Sequence, residues 1–107
     1  MPFQAYDIAL DLIRSLREPL ARIQARDPDL EKQLRRAASS VALNLGEGRR
    51  RQGRDRNLLF RIASGSAGEV AASLAVAEAW GYVDASDCAE ARQLCDRLLA
   101  ILWTLTR

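Results

Sequence analysis

Asp27-Pro28-Asp29-Leu30-Glu31-Lys32-Gln33-Leu34-Arg35-Arg36-Ala37-Ala38-Ser39-Ser40-Val41-Ala42-Leu43-Asn44-Leu45-Gly46-Glu47-Gly48 is the stretch that decides the fold. Leu30, Leu34, Ala37, Ala38, Val41 and Leu45 recur at steps of three and four. That spacing lines one face of an α-helix. Asp27 is placed to cap the helix, and Pro28 suits its first position because proline lacks the amide that would go unbonded there. Gly46 and Gly48 read as the stop.

The same period continues on both sides. Upstream, Tyr6, Ala9, Leu10, Ile13, Leu16, Leu20 and Ile23 mark a first helix from about Phe3 to Ala25. Pro19 interrupts it and predicts a kink near Ser15–Glu18, because proline removes one helical hydrogen bond. Downstream, a third helix is expected from near Arg54 to Gly81, with Leu59, Ile62, Ala63, Ser66, Val70, Ser73, Leu74, Ala77 and Trp80 as its stripe. Gly65 and Gly68 inside it cost about 1 kcal/mol each relative to alanine. A run of small residues there lets a neighbouring backbone come close. Asp84, with Asp87 three residues on, reads as the cap of a fourth helix. Cys88, Ala91, Leu94, Cys95, Leu98, Ile101, Leu102 and Leu105 form its stripe. The fold class is therefore all-α, an antiparallel up-down-up-down four-helix bundle, with residues 1–107 as a single domain.

The composition is that of a soluble globular chain, 49% apolar and 28% charged. No run approaches the ~20 apolar residues of a membrane span, so no membrane association is expected. No signal peptide is visible at the start, and a cytoplasmic location is expected. Cys88 and Cys95, seven residues apart on one helix, would have Cα atoms about 10 Å apart, too far for a disulfide. They read as reduced core fillers. With no histidine and no CxxC pair, neither a metal nor a cofactor is expected.

Charge is unevenly placed. Residues 32–61 hold nine of the sixteen cations, opposed only by Glu47 and Asp55, which leaves +7 on a stretch of a chain whose total is +2. Such a field attracts polyanions. Its centre is Arg49-Arg50-Arg51-Gln52-Gly53-Arg54-Asp55-Arg56. Arginine pairs bidentately with phosphate, and glycine lets the backbone approach it. Arg49, Arg50, Arg51, Arg54 and Arg56 are the candidate nucleic-acid contacts, with Arg35 extending the surface. Binding to RNA or DNA would run through the backbone, since no base-reading motif is visible. The alternative is a protein-interaction module whose basic loop docks an acidic partner.

Arg36, Asn44, Glu47 and Glu69 lie close to the apolar stripes, where an unpaired polar group is costly. They read as structural polar groups that fix helix register through buried hydrogen bonds or ion pairs. Two carboxylates without histidine, lysine or metal do not assemble acid–base catalysis. Ser40, Ser64 and Ser66 lack a base partner, so no enzyme is expected. The fourth helix carries Leu94, Leu98, Leu99, Ile101, Leu102, Trp103 and Leu105, wider than one stripe needs, which points to self-association.

From Gln33 to Val83 the sequence resembles the four-helix-bundle family of 23S ribosomal RNA intervening-sequence proteins, which includes the accessory variability determinant proteins of diversity-generating retroelements. The residues that carry the resemblance are Gln33–Ala38, Ser40–Gly48, the arginine loop, Ile62–Glu69, Leu74, Ala77 and Gly81–Val83. Gly46 stands where alanine is usual, Gln52 replaces a serine cap, and Arg56 takes a place that is often aromatic. The resemblance implies a four-helix bundle and, by analogy with the accessory proteins, a homopentameric barrel that binds nucleic acid and a reverse transcriptase.

Overall fold

The computed structural model describes residues 4–107. Four helices account for nearly all of them: α1 (Gln4–Arg26), α2 (Pro28–Gly48), α3 (Gly53–Ala79) and α4 (Ala85–Thr106). Each packs against its sequence neighbour, and α1 closes the ring against α4. The result is an up-down-up-down bundle of 42 × 22 × 20 Å, with no strand among the described residues. Phe3, expected to open the first helix, lies outside the described residues.

The connections follow from local chemistry. The Asp27 Oδ1 atom accepts from the Leu30 amide at 3.0 Å, and Pro28 follows it, so α2 starts where the sequence places its cap. The Asp84 amide donates to Asp87 Oδ2 at 2.8 Å at the start of α4. Gln52 supplies no side-chain cap to α3. The chain turns instead through Gly53 at φ +61°, and leaves α3 through Gly81 at φ +79°. Both angles are in the left-handed region that glycine enters without steric cost. α1 runs unbroken through Pro19, whose ring is buried.

The ends of α2 correct one expectation. Gly46 lies inside the helix, and Gly48 is its last residue but lacks the positive φ of a glycine stop. A Cβ on Gly46 would come within 3.0 Å of the Tyr6 ring, and one on Gly48 within 2.7 Å of the Phe60 ring. Both glycines are therefore packing positions that let an aromatic ring lie against α2.

The core is lined by Ile8, Leu12, Leu16 and Ile23 of α1, Leu34, Val41 and Leu45 of α2, Phe60, Val70 and Leu74 of α3, and Cys88, Cys95, Leu98 and Leu102 of α4. Each fully buried Leu, Ile or Phe stabilises the fold by about 1.5–3 kcal/mol in transfer terms. α1 is rotated from its expected stripe: Tyr6, Leu10, Ile13 and Leu20 are only partly buried. Two residues expected in the core of the third helix, Ile62 on α3 and Trp80 just past its end, are exposed, and Phe60 is buried instead. Ties between helices close the end opposite the α2–α3 loop. Arg22 of α1 pairs with Asp87 of α4 at 2.9 Å, Arg92 of α4 with Glu78 of α3, and the Tyr82 hydroxyl donates to Asp27 at 3.2 Å.

Cys88 and Cys95 are free thiols buried along α4. Burial pushes both up, Cys95 from 9.0 to about 11. Below pH ~9 both the folded and the unfolded chain keep the Cys95 proton, and its stabilising effect is intact. Between about pH 9 and 11 only the unfolded thiol ionises, so stability falls as pH rises. Denaturant melts across that window should show the loss, and Cys95→Ala should flatten the slope. Both thiols should react with a thiol reagent only as fast as the chain unfolds.

Candidate nucleic-acid interface

One end of the bundle gathers the start of α1, the end of α2, the start of α3 and the end of α4. The arginine loop spans it, and Arg49, Arg50, Arg51, Arg54 and Arg56 are all exposed. They are held to different degrees. The Arg49 guanidinium lies over the Tyr6 ring, 4.3 Å from its centroid, and Arg56 lies over Phe60 at 5.4 Å. Arg51 donates to Glu47 Oε1 at 2.9 Å and stands 3.9 Å from Asp55. Arg50 and Arg54 form no ion pair among the described residues. An exposed pair such as Arg51–Glu47 contributes at most about 1 kcal/mol, so a phosphate can compete for the guanidinium.

Two open clefts flank the loop. One, of about 910 Å³, is walled by Tyr6, Leu43 and Gly46 and carries Arg49, Arg50 and Arg51. The other, of about 530 Å³, lies between Arg54, Arg56 and Asn57 on one side and Leu105 and Arg107 on the other. Arg61 of α3 donates to the Thr106 carbonyl at 3.3 Å, which ties the end of α4 to α3. Guanidiniums held over rings beside open clefts suit phosphate oxygens, because the planar fork is already oriented.

The expected site residues divide sharply. Arg49, Arg50, Arg51, Arg54 and Arg56 come together. Arg35 does not join them: it lies fourteen residues before Arg49 on α2, about 20 Å along the axis, and its Nε donates to Glu31 Oε2 at 3.0 Å. The expectation of buried register-setting groups holds least well for Arg36, Glu47 and Glu69, which are exposed. Each stands just off the buried stripe, on the outer side of its helix. Glu47 pairs with Arg51, while Arg36 and Glu69 form no ion pair among the described residues. Asn44 is partly buried. Its amide nitrogen donates to the Ser40 carbonyl at 2.8 Å and to Ser40 Oγ at 3.1 Å, and Ser40 Oγ meets Ser66 Oγ at 2.8 Å across the α2–α3 seam. The buried carboxylate is Glu31, 7% exposed and held by Arg35. Its i, i+4 spacing to Arg35 was the available signal. Tyr6 and the buried Phe60 supply the rings beneath Arg49 and Arg56, a role that the sequence reading did not single out. Among the described residues no group of acidic, cysteine or histidine side chains is placed to hold a metal.

The model of the family of 23S rRNA-intervening sequence proteins matches residues 3–104. The chain belongs to this family. A crystal structure of a protein with unknown function from the S23 ribosomal protein family, from Bacteroides thetaiotaomicron VPI-5482, superposes with a TM-score of 0.86 at 17% identity, over 96% of this chain and 98% of that one. At that identity the likeness shows the shared fold. No curated protein matches the chain. For this intervening-sequence protein the four-helix architecture is thus common to a solved relative, and no helix of the described residues is long and apolar enough to cross a membrane.

Proposed function

We propose that this chain is a non-enzymatic, oligomeric helical bundle that binds RNA or DNA through backbone phosphates. The observation that carries the proposal is the cluster of five exposed arginines at one end of the bundle, flanked by two clefts. Phosphate contacts of this kind supply affinity and orientation without sequence information. The family's description as 23S rRNA-intervening sequence proteins makes RNA the first ligand to test. A homopentameric barrel and a reverse transcriptase partner extend the proposal by analogy with the retroelement accessory proteins.

Fluorescence anisotropy with random-sequence RNA and duplex DNA at low salt tests the proposal. Comparable affinity for both, indifferent to sequence and weakened by salt, is the expected result. Tight binding to polyglutamate with none to nucleic acid would instead favour docking of an acidic protein. Light scattering tests the assembly: a mass well above the 11.9 kDa of one chain is expected at micromolar concentration. A particle of one chain would refute the oligomer.

A further inference from the structure

The end of the bundle opposite the arginine loop presents an exposed aromatic pair. Trp80, just past α3, is 67% exposed and takes no part in the core. Gly81 follows it at φ +79°, and this turn brings Tyr82 beside it. The two rings stand nearly parallel, 6.4 Å apart at their centroids with 16° between their planes. Val76, one turn back on α3, is exposed as well and extends the patch. The Tyr82 ring already holds a cation: the Arg26 guanidinium lies over it, 5.6 Å from the centroid. No cation stands over Trp80 among the described residues. Yet indole attracts a cation more strongly than the ring of tyrosine or phenylalanine does.

The charge around the pair is negative. Residues 22–32 and 78–90, which build this end, hold three cations against seven anions, which leaves −4. Internal ion pairs engage Glu31, Glu78 and Asp87. Asp27 accepts the Tyr82 hydroxyl at 3.2 Å. Asp29 and Asp84 each stand two residues from one member of that contact. Both are exposed and form no ion pair among the described residues. The arginine loop lies at the far end of a 42 Å bundle. That is several screening lengths of about 8 Å at physiological salt, so its positive field does not offset these carboxylates. A polyanion is repelled here, and a polycation is drawn in.

We infer that this end of the bundle docks a basic segment of another protein, with one of its cationic side chains laid on Trp80 and others paired with Asp29 and Asp84. The exposed indole and Val76 suit such a side chain, because the methylene stems of arginine and lysine pack on apolar surface while their heads stay charged. Arginine fits better than lysine, since its planar guanidinium stacks on a ring. The inference goes beyond the nucleic-acid reading and does not depend on it, because the two surfaces share no residue. Taken together, the two ends make the chain an adapter that holds a polyanion and a basic partner apart from each other.

The experiment titrates the full chain with a fluorescent oligoarginine peptide and with oligolysine of the same length, read by anisotropy at low salt. Binding that prefers arginine and weakens with salt is expected. Trp80→Ala should lower the affinity about tenfold, and Trp80→Phe by less. Asp29→Asn and Asp84→Asn together should also weaken it. Trp80 is exposed and asparagine still caps a helix, so circular dichroism should show unchanged helix content in these variants. In a Trp103→Phe chain the remaining indole is that of Trp80, and its fluorescence should change as the peptide binds. That readout leaves the surface intact and serves if Trp80→Ala does not fold. Alanine at Arg49, Arg50 and Arg51 should leave peptide affinity unchanged. A silent indole, or undiminished affinity in a folded Trp80→Ala chain, would overturn the inference while leaving the nucleic-acid reading standing. A wild type that binds neither peptide at low salt would overturn it as well. Loss of RNA affinity in Trp80→Ala, with peptide affinity kept, would assign the aromatic pair to nucleic acid instead.

Discussion

Phe60→Ala should lower the stability of the bundle by about 3–5 kcal/mol, a large part of the ~5–15 kcal/mol that holds a domain of this size together. Phe60 is 1% exposed, the largest wholly buried side chain among the described residues, and its ring lies against the backbone of α2 at Gly48. Removing it leaves a ring-sized cavity between α2 and α3. A melting point lower by more than ~10 °C should follow in a thermal scan. Gly48→Ala strains the same contact from the other side. Its Cβ would stand 2.7 Å from the ring, and overpacking of this kind costs about 1–3 kcal/mol. The two changes share one space, so the double variant should lose less than the sum of the singles. Strict additivity would mean that the ring does not rest on Gly48.

The helical class and the four-element order were legible because each helix repeats its apolar residues with a helical period and turn residues separate the repeats. Asp27-Pro28 and Asp84 mark starts that the hydrogen bonds reproduce. Which apolar residues turn inward was legible for α2 and α4 and less so for α1 and α3. α1 offers two overlapping stripes, one through Tyr6, Ile13 and Leu20 and one through Ile8, Leu12 and Leu16. Only packing against α2 and α4 chooses the second as the core. α3 carries an inner and an outer seam at similar spacing, so Ile62 on the outer one passed for core. The end of α2 at Gly48 was legible, but the rings that lie over Gly46 and Gly48 were not, because sequence shows a glycine and not what packs on it.

The arginine cluster was legible as charge, since five arginines in eight residues have no buried alternative. Its organisation was not. The Tyr6 platform under Arg49 is forty-three positions away in sequence, and only the antiparallel arrangement brings it there. Arg35 and Glu69 show the opposite case. Both are near the right segments, but helix phase turns Arg35 toward Glu31 and Glu69 outward.

Replacing Arg49, Arg50 and Arg51 together with alanine should leave the helix content unchanged and remove most of the nucleic-acid affinity. All three side chains are exposed, and the largest structural loss is the Arg49–Tyr6 stacking, about 0.5–1 kcal/mol at a surface site. The contributions should be unequal. Arg50, which has no acidic neighbour in contact, should matter more as a single alanine variant than Arg51, which shares its charge with Glu47 and Asp55. The loss should be similar for unrelated sequences, because a phosphate looks alike beneath every base. A triple variant that unfolds would instead place the loop among the elements that hold the fold.

The most direct test is a salt titration of the wild type and the triple variant on one duplex. If phosphates are the ligand, log affinity falls linearly with log salt, with a slope of about 0.9 per contact on duplex DNA. The wild type should show a steep slope, and the variant a slope flatter by up to about 2.7 if all three arginines touch phosphate. Superimposable lines for the two proteins would remove the arginine loop from the interface. A wild type that fails to bind duplex or RNA even at low salt would contradict the nucleic-acid function itself.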